Sequence, residues 1–400
     1  MRVTPFWPLL LVLACDSKTT PSKDAAPATG TPPPATVTVS AKPSASTATA
    51  PTASAPPPLP SDAGAPCPVL SGPSQLPFTG PVALVARGDG VDLVFAADGG
   101  PKLLHSDLGA APPPLPPSGA AKAQTPGCAA AGMFAFCMNA SGAITRHGLG
   151  GAIDLPVGKG KPGSRLGAVA VGAETAVAFL AERTTSEGLT SEAWLVGQST
   201  PLTRISDDGA GATFVTLAST GPDSMVALYI DGRRGMAPIH GVRFSLRGGK
   251  LVRDKDDVLY VAGGAETWTG GAIATSSSDA FALVPIAHDV GFGLLVSRFG
   301  ATGDEHWSDY DNGLDPAPIA ATALGPGDPW AIRVRPDGKK PFAPRVAELG
   351  RVTAAGFVPS GILPTHGDPS SVAIARDPGH ALVVAFTDAT GTWLERLRCP

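Results

Sequence analysis

Short runs of apolar and β-branched residues, separated by Gly, Asp and Pro, fill most of the chain after residue 67. The clearest example is the C-terminal stretch, with three apolar runs at 371–376, 381–387 and 392–398. Asp-Pro-Gly separates the first two runs, and Asp-Ala-Thr-Gly separates the last two. Runs of about four to eight such residues bounded by turn residues predict β-strands joined by hairpins. We therefore expect a three-stranded antiparallel meander at this end of the chain.

The same pattern recurs upstream, in units that begin near residues 81, 128, 166, 213, 271, 319 and 370. Each unit has three or four predicted strands, and its first strand is rich in small apolar residues, as at 129–131 and 168–170. No apolar spacing of the helical kind separates the units. We predict seven units, with six or eight as alternatives.

The spacing of the units, roughly 40 to 58 residues, resembles that of a β-propeller. A small sheet cannot bury both faces alone, whereas sheets stacked face to face around an axis leave only short edges. The Trp-Asp and kelch blade motifs are absent, so the resemblance concerns architecture only. The predicted fold is all-β, a β-propeller over residues 67–400. A pair of β-sandwiches with Greek-key connections is the alternative.

The first part of the chain has a different composition. Residues 15–66 are almost entirely Pro, Ala, Ser and Thr with a few charges. Such a segment has too little apolar surface to offset the entropy of ordering, so it is predicted to be a disordered linker. Its prolines favour extended polyproline II structure, which suits a tether.

Residues 1–14 form a basic start followed by a short apolar run, which is typical of a signal peptide and too short for a membrane span. The motif Val12-Leu13-Ala14-Cys15 resembles the lipobox of bacterial lipoproteins. That resemblance implies cleavage before Cys15 and lipidation of Cys15, so that the membrane is a partner through the lipid anchor. An ordinary secretory leader is the alternative. The motif leaves the choice between inner and outer membrane open.

Four cysteines remain after Cys15: Cys67, Cys128, Cys137 and Cys399. An even number in an exported chain favours disulfides, and three pairings can be drawn. We favour Cys67–Cys399, which would join the two ends of the ring, and Cys128–Cys137, which would cross one hairpin. Metal ligation and free thiols are the alternatives.

The sequence contains no recognisable catalytic motif, and its seven histidines are scattered. The densest acidic cluster includes Asp309, Asp311 and Asp315, whose carboxylates could bind Ca²⁺, although Gly313 comes too early for the usual loop. A polar turn between units is the competing interpretation. No other cofactor or metal is indicated. A net charge of −4 without clustered Lys and Arg gives no reason to expect nucleic acid binding.

These features predict an extracytoplasmic, lipid-anchored β-propeller at the cell envelope, either periplasmic or on the cell surface. We expect a monomer that binds an envelope protein or glycan through loops at the axial funnel. The alternative is an enzyme, a hydrolase or lyase of envelope polymers, with acidic residues such as Asp309 or Asp311 in the funnel. We favour binding, because no catalytic constellation is present.

Overall fold

The computed structural model describes residues 67–87, 90–97, 100–106, 128–148, 151–155, 157–158, 160–186, 188–232, 238–260, 267–268, 270–277, 279–288, 291–300, 305–310, 318–322, 327–337, 343–377 and 379–399. The predicted signal peptide, Cys15 and the predicted linker lie outside these ranges. Within them, no helical segment has the length and apolar character needed to cross a membrane.

The described residues form β-strands joined mostly by tight turns. In chain order the strands are β1 (Val69–Gln75), β2 (Val82–Arg87), β3 (Gly90–Ala97), β4 (Gly100–Ser106), β5 (Cys128–Ala131), β6 (Phe134–Met138), β7 (Ile144–Gly148), β8 (Gly151–Asp154), β9 (Gly167–Val171), β10 (Glu174–Thr185), β11 (Gly188–Gly197), β12 (Thr203–Arg204), β13 (Ala212–Gly221), β14 (Ser224–Asp231), β15 (Ile239–Arg247), β16 (Lys250–Tyr260), β17 (Thr267–Trp268), β18 (Ala272–Thr275), β19 (Ala280–His288), β20 (Gly291–Arg298), β21 (Glu305–Tyr310), β22 (Ile319–Ala321), β23 (Trp330–Pro336), β24 (Arg345–Thr353), β25 (Gly356–Ile362), β26 (Ser371–Arg376), β27 (Leu382–Asp388) and β28 (Gly391–Leu397).

These strands form seven antiparallel sheets, one for each unit predicted from the sequence. Blade 1 comprises β2–β4, blade 2 β5–β8, blade 3 β9–β12, blade 4 β13–β16, blade 5 β17–β21, blade 6 β22–β25, and blade 7 β26–β28 together with β1. The innermost strands contact one another in the order β2, β5, β9, β13, β18, β22, β26, and β26 returns to β2. The seven-bladed β-propeller is thereby confirmed. The β-sandwich alternative is wrong, because the sheets close into a ring.

The hydrophobic core lies between neighbouring blades. In β14, Met225 and Tyr229 belong to the cluster shared with blade 3, whereas Val226 and Ile230 belong to the cluster shared with blade 5. Successive side chains of a strand point to opposite faces, so a strand between two neighbouring blades must be apolar on both sides. This explains why the second strands of the blades are continuous apolar runs rather than alternating ones.

The seventh blade contains a strand from each end of the described chain. The N-terminal strand β1 pairs antiparallel with β28 and completes the sheet as its outermost strand. Only three strands of this unit are predicted from the sequence, and β1 is not among them. All of its residues are exposed, and its pairing is interrupted by bulges on both sides of Ser71, so the strand has no apolar alternation to detect. Pro73 fits here because an edge strand need not use every backbone N–H.

Two buried threonine hydroxyls fix the segment that follows β1 onto blade 7. Thr392 Oγ1 accepts a hydrogen bond from the Gly80 N–H at 2.9 Å, and Thr387 Oγ1 donates to the Gly80 carbonyl at 2.8 Å. The Leu76 N–H donates to the Thr392 carbonyl at 2.7 Å. These bonds join residues more than three hundred positions apart along the chain.

The four cysteines are paired as Cys67–Cys399 and Cys128–Cys137, the two pairs favoured from the sequence. Cys67 precedes β1 and Cys399 follows β28, and their Cα atoms are 4.6 Å apart. In a blade built from one continuous segment, a hairpin turn joins the third and fourth strands. In blade 7 this disulfide is the covalent link between those two strands. Cys128 and Cys137 lie directly opposite each other on β5 and β6.

Candidate functional site

The innermost strands were the expected location of a ligand site or of catalytic carboxylates. Among the described strands, β2, β5, β9, β13, β18, β22 and β26 contain no Asp, Glu or His. Their charged residues are Arg87 and Arg376, the last residues of β2 and β26. General acid–base catalysis requires groups that exchange protons near neutral pH, and these strands supply none.

The predicted acidic cluster does not lie at the axis as far as it is described. Asp309 lies on β21, opposite Gly293 of β20, at the edge of blade 5 that is farthest from β18. The position assigned to Asp309 in the funnel is therefore wrong, because its strand is the outermost one of the blade. Asp311 and Asp315 lie outside the described residues. In the described part of the chain, no three His, Cys, Asp or Glu residues are grouped so as to hold a metal ion.

Tryptophan side chains take structural positions between blades wherever they are described. Trp330 is 2% exposed and packs in the cluster between blades 6 and 7, and Trp393 packs against the same cluster. Trp194 packs against the cluster between blades 2 and 3. Trp330 therefore has almost no ring surface for stacking on a sugar, whereas Trp194 and Trp393 are half-buried.

The described surface contains a groove of about 520 Å³ at the junction of blades 4 and 5. It opens beside the turn from β13 to β14 and the start of β19, and it is bordered by parts of β15, β16 and β20. Phe299, which is 7% exposed and packs between blades 4 and 5, forms an apolar part of its wall. The groove therefore lies on the seam between two sheets, and Thr220 at the end of the innermost strand β13 borders it.

Four charged side chains line the groove, two from each blade: Arg243, Asp254, Asp279 and Arg298. The Asp254 carboxylate accepts hydrogen bonds from Ser245 Oγ and from the Arg247 guanidinium. The Asp279 carboxylate accepts a hydrogen bond from Arg298. Two arginines and two aspartates give the lining a formal charge that sums to zero, and both carboxylates already have donors.

Arg243 differs from the other charged residues of the groove. Its Nε is buried and faces Asp257 Oδ2 at 3.6 Å, an ion pair longer than an ordinary hydrogen bond, whereas 42% of the whole side chain is exposed. Asp257 is also contacted by Lys255. Gly300 has a φ of +81°, and a Cβ there would collide with Arg243 Nη2. The glycine thus makes room for the guanidinium of Arg243.

The groove has no signature in the sequence, where residues 253–257 are a run of mixed charges without apolar alternation. The structure places them within β16, paired with β15. Charged residues dominate this part of the strand since it is the outer edge of blade 4, where side chains meet solvent and ion pairs rather than a neighbouring sheet. The signal that could have indicated a strand was the preceding Gly-Gly turn after the apolar run of β15.

A second polar cluster lies in the interface between blades 3 and 4. Tyr229 and His240 stack with their ring centroids 4.5 Å apart, and His240 Nδ1 is 3.4 Å from Asp256 Oδ1. Burial raises the pKa of Tyr229, and the nearby charges of Asp256 and Asp207 raise it further. The two rings are only 0% and 7% exposed, so this cluster offers no surface to a ligand.

The closed ring of blades defines the class of this protein as a seven-bladed β-propeller. No protein-family model matches the chain, and no curated protein is similar to it in sequence.

Several solved structures are similar to it in fold. BBS1N, in its complex with ARL6DN, is 11% identical with a TM-score of 0.49 over 84% of this chain and 98% of that one. The β-propeller domain of Cps50 (Swd1) from Myceliophteria thermophila is 11% identical with a TM-score of 0.45 over 81% and 97%. AofleA from Arthrobotrys oligospora is 12% identical with a TM-score of 0.37 over 82% and 89%. These similarities concern the fold alone.

Proposed function

We propose that this protein is a lipid-anchored, extracytoplasmic β-propeller that acts as a binding module at the cell envelope. Its two disulfides suit an oxidising compartment outside the cytoplasm. The lipobox-like motif 12–15 supports lipidation at Cys15, and the linker that follows would separate the propeller from the lipid surface.

Binding is favoured over catalysis by one observation, the groove between blades 4 and 5. It combines a concave surface with apolar, hydroxyl and charged side chains in its lining, which are the features of a ligand site. The described innermost strands, by contrast, carry no carboxylate or imidazole that could support the alternative hypothesis of an envelope-polymer hydrolase or lyase.

Anchoring can be tested by replacing the predicted lipidated residue. The full chain and its Cys15→Ala variant would be expressed in a bacterium with a lipoprotein pathway and grown with a labelled fatty acid. We expect label and membrane fractionation for the wild-type protein and loss of both for the variant. A variant that still partitions wholly with membranes would contradict lipid anchoring at Cys15.

Binding can be tested by capture from detergent-solubilised envelopes with the immobilised, disulfide-intact propeller. We expect a reproducible envelope component to be retained, and reduction and unfolding of the propeller should abolish its retention. Protease and glycosidase treatment of the extract would show whether the component is a protein or a glycan. Repeated recovery of nothing beyond the unfolded control would contradict the proposal.

A further inference from the structure

Arg165 lies at the end of the propeller axis where the innermost strands begin. It precedes β9 of blade 3 by two residues, and its guanidinium reaches blade 5, because a Cβ atom on Gly270, two residues before β18, would lie 3.8 Å from Arg165 Nη1. The ring of Phe214, from β13 of blade 4, would lie equally close to that Cβ atom. The side chain of Arg165 therefore spans the inner ends of blades 3, 4 and 5.

Arg165 is accessible to solvent although protein atoms crowd its guanidinium. The residue as a whole is exposed. Burial of the guanidinium nevertheless lowers the pKa of Arg165, and burial is the only cause of this shift. Desolvation of this kind disfavours the charged form of a side chain. A side chain that is both exposed and partly desolvated is expected in a concave site that a ligand can enter.

Arg165 has no counter-ion among the described residues, unlike Arg298, Arg333 and Arg396, each of which contacts a carboxylate. No ion pair or hydrogen bond joins the Arg165 side chain to another residue in the described part of the chain. The described innermost strands contain no Asp or Glu that could approach it. Desolvated charges in proteins are ordinarily paired, so Arg165 is a charge whose partner must come from elsewhere.

The missing partner defines the chemistry of a ligand at this position. A guanidinium presents its N–H donors as a planar fork that matches two oxygens of a carboxylate or a phosphate. An oxyanion beside Arg165 would supply both the negative charge and the acceptors that the described innermost strands lack. No atom lies nearer than 3.8 Å to the position of a Cβ on Gly270, so a small group fits next to Arg165 Nη1.

We propose that Arg165 binds an oxyanion group, a carboxylate or a phosphate, of a ligand that enters at the end of the axis where the innermost strands begin. The inference rests on the proposed function, because it names the chemistry that the binding module recognises. The site is distinct from the groove between blades 4 and 5, whose charged lining residues sum to zero. A guanidinium–oxyanion pair is charge-assisted, so its loss should weaken binding by about tenfold or more.

The experiment uses the purified, disulfide-intact protein with isotopically labelled arginine, so that NMR follows each guanidinium. Acetate and inorganic phosphate are the probes, and each replaces chloride at constant ionic strength. We expect the Arg165 Nε–H signal to shift in a saturable way with at least one oxyanion. The signal of Arg398, which is exposed directly after β28, should not. Either preference supports the proposal: tighter acetate binding indicates a carboxylate ligand, and tighter phosphate binding indicates a phosphate ligand.

Gly270 allows the site to be filled from within the protein. Its φ is not among the positive values that favour glycine, and a Cβ there would make contacts of ordinary length. Gly270→Asp would place a carboxylate beside Arg165, so we expect it to weaken oxyanion binding by about tenfold or more. Gly270→Ala is the matched control, because it adds only the Cβ atom, and it should bind as the wild type does.

Variants of Arg165 test the guanidinium itself, with affinities measured by ligand-observed NMR. We expect Arg165→Gln to lose about tenfold or more in affinity for the preferred oxyanion. Arg165→Lys keeps the charge without the fork and should give an intermediate affinity. Arg398→Gln removes an exposed charge away from the axis and should bind as the wild type does. Thermal unfolding would verify that each variant is folded.

Absence of a saturable shift at Arg165, or equal shifts at Arg165 and Arg398, would overturn the proposal. So would unchanged oxyanion binding in both Gly270→Asp and Arg165→Gln. Capture of an envelope component separates this inference from the proposed function. Capture by the wild type that Arg165→Gln leaves intact would overturn the role of Arg165 but not the binding module. Failure of capture by the wild type would overturn the proposed function, whereas a saturable shift at Arg165 would still support the oxyanion site.

Discussion

Blades 4 and 7 have the same four-stranded antiparallel architecture but are assembled from the chain in different ways. Blade 4 is one continuous segment, β13–β16, in which each strand pairs with the next along the sequence. Blade 7 takes three strands from the C-terminal end and its fourth, β1, from the other end of the described chain. Continuous pairing closes short loops, whereas joining the two ends closes a loop around the whole ring, which is entropically less favourable.

The interactions that offset the entropic cost of joining the two chain ends lie in blade 7. The Cys67–Cys399 disulfide, the bonds from Thr387 and Thr392 to Gly80, and the buried contact of Leu76 all join β1 and the following segment to the C-terminal strands. Blade 4 has no equivalent cross-link among its described residues and relies on burial on both faces. The comparison indicates that the ring is closed by covalent and polar links where the sequence is discontinuous.

The largest expected effect comes from removing the closing disulfide. Replacing Cys67 and Cys399 together by Ala frees the two chain ends in the unfolded state. In the chain-entropy model a loop of this length corresponds to about 5–6 kcal/mol as an upper bound, so the urea midpoint should fall sharply. The matched control removes Cys128 and Cys137, whose sequence separation is 9 rather than 332. It should lose only about 2–3 kcal/mol. Equal losses in the two double variants would show that ring closure does not depend on the terminal link.

A smaller effect is expected from cavities in the two blades. Phe244→Ala in blade 4 and Phe386→Ala in blade 7 each remove a side chain that is 1% exposed. Each should reduce the free energy of unfolding by about 3–5 kcal/mol. Both substitutions would also be made in the variant that lacks Cys67 and Cys399, and the free energies of unfolding compared. There the effect of Phe244→Ala should add to the disulfide loss, whereas Phe386→Ala should deviate from additivity, because it weakens the same blade. Additivity in both cases would contradict a distinct role for blade 7.

The smallest expected effect concerns the turn between β27 and β28. Asp388 Oδ1 accepts hydrogen bonds from the Thr390 N–H at 2.8 Å and from Thr390 Oγ1 at 2.6 Å, and Asp388 Oδ2 accepts one from the His366 N–H at 2.9 Å. Burial raises the pKa of Asp388, but these bonds more than offset it, so its pKa lies below the ordinary value of 3.8. Its contribution to stability is therefore present above the unfolded-state pKa and is lost as pH falls through the folded-state pKa.

Asp388→Asn should consequently reduce the free energy of unfolding at pH 7 by about 1.5–3 kcal/mol and flatten its decline below about pH 4. Urea unfolding at several pH values would measure both changes. Glu182→Gln, at the exposed end of β10, is the control and should change neither. An unchanged acid dependence in the Asp388 variant would show that this turn does not contribute to acid unfolding.

Much of the fold was predictable because it depends on neighbours along the chain. The runs that became β26, β27 and β28 have turn residues at both ends, and the other units repeat the pattern. Each turn and strand is specified locally, so the units could be counted and the ring inferred from the need to cover their faces. The two cysteine pairs were predicted on the same grounds, because one pair joins the ends of the ring and the other crosses a hairpin.

The candidate site was less predictable. The expected site at the axis relied on a resemblance in architecture, and Asp309 proved to lie on an outer strand. Arg243 and Arg298 are far apart in sequence and line the same groove only because blades 4 and 5 are adjacent. No residue spacing in the sequence predicts this groove, because it forms where two sheets pack together.

From the sequence alone, most of the strands and turns and a ring of seven blades could be predicted, because these follow from local alternation and composition. Only the tertiary structure decided that β1 completes blade 7, that residues 253–257 belong to an edge strand, and that two arginines share a groove. An edge strand and an inter-blade groove have no local pattern of their own. Their partners come from distant parts of the chain, and closure of the ring brings them together.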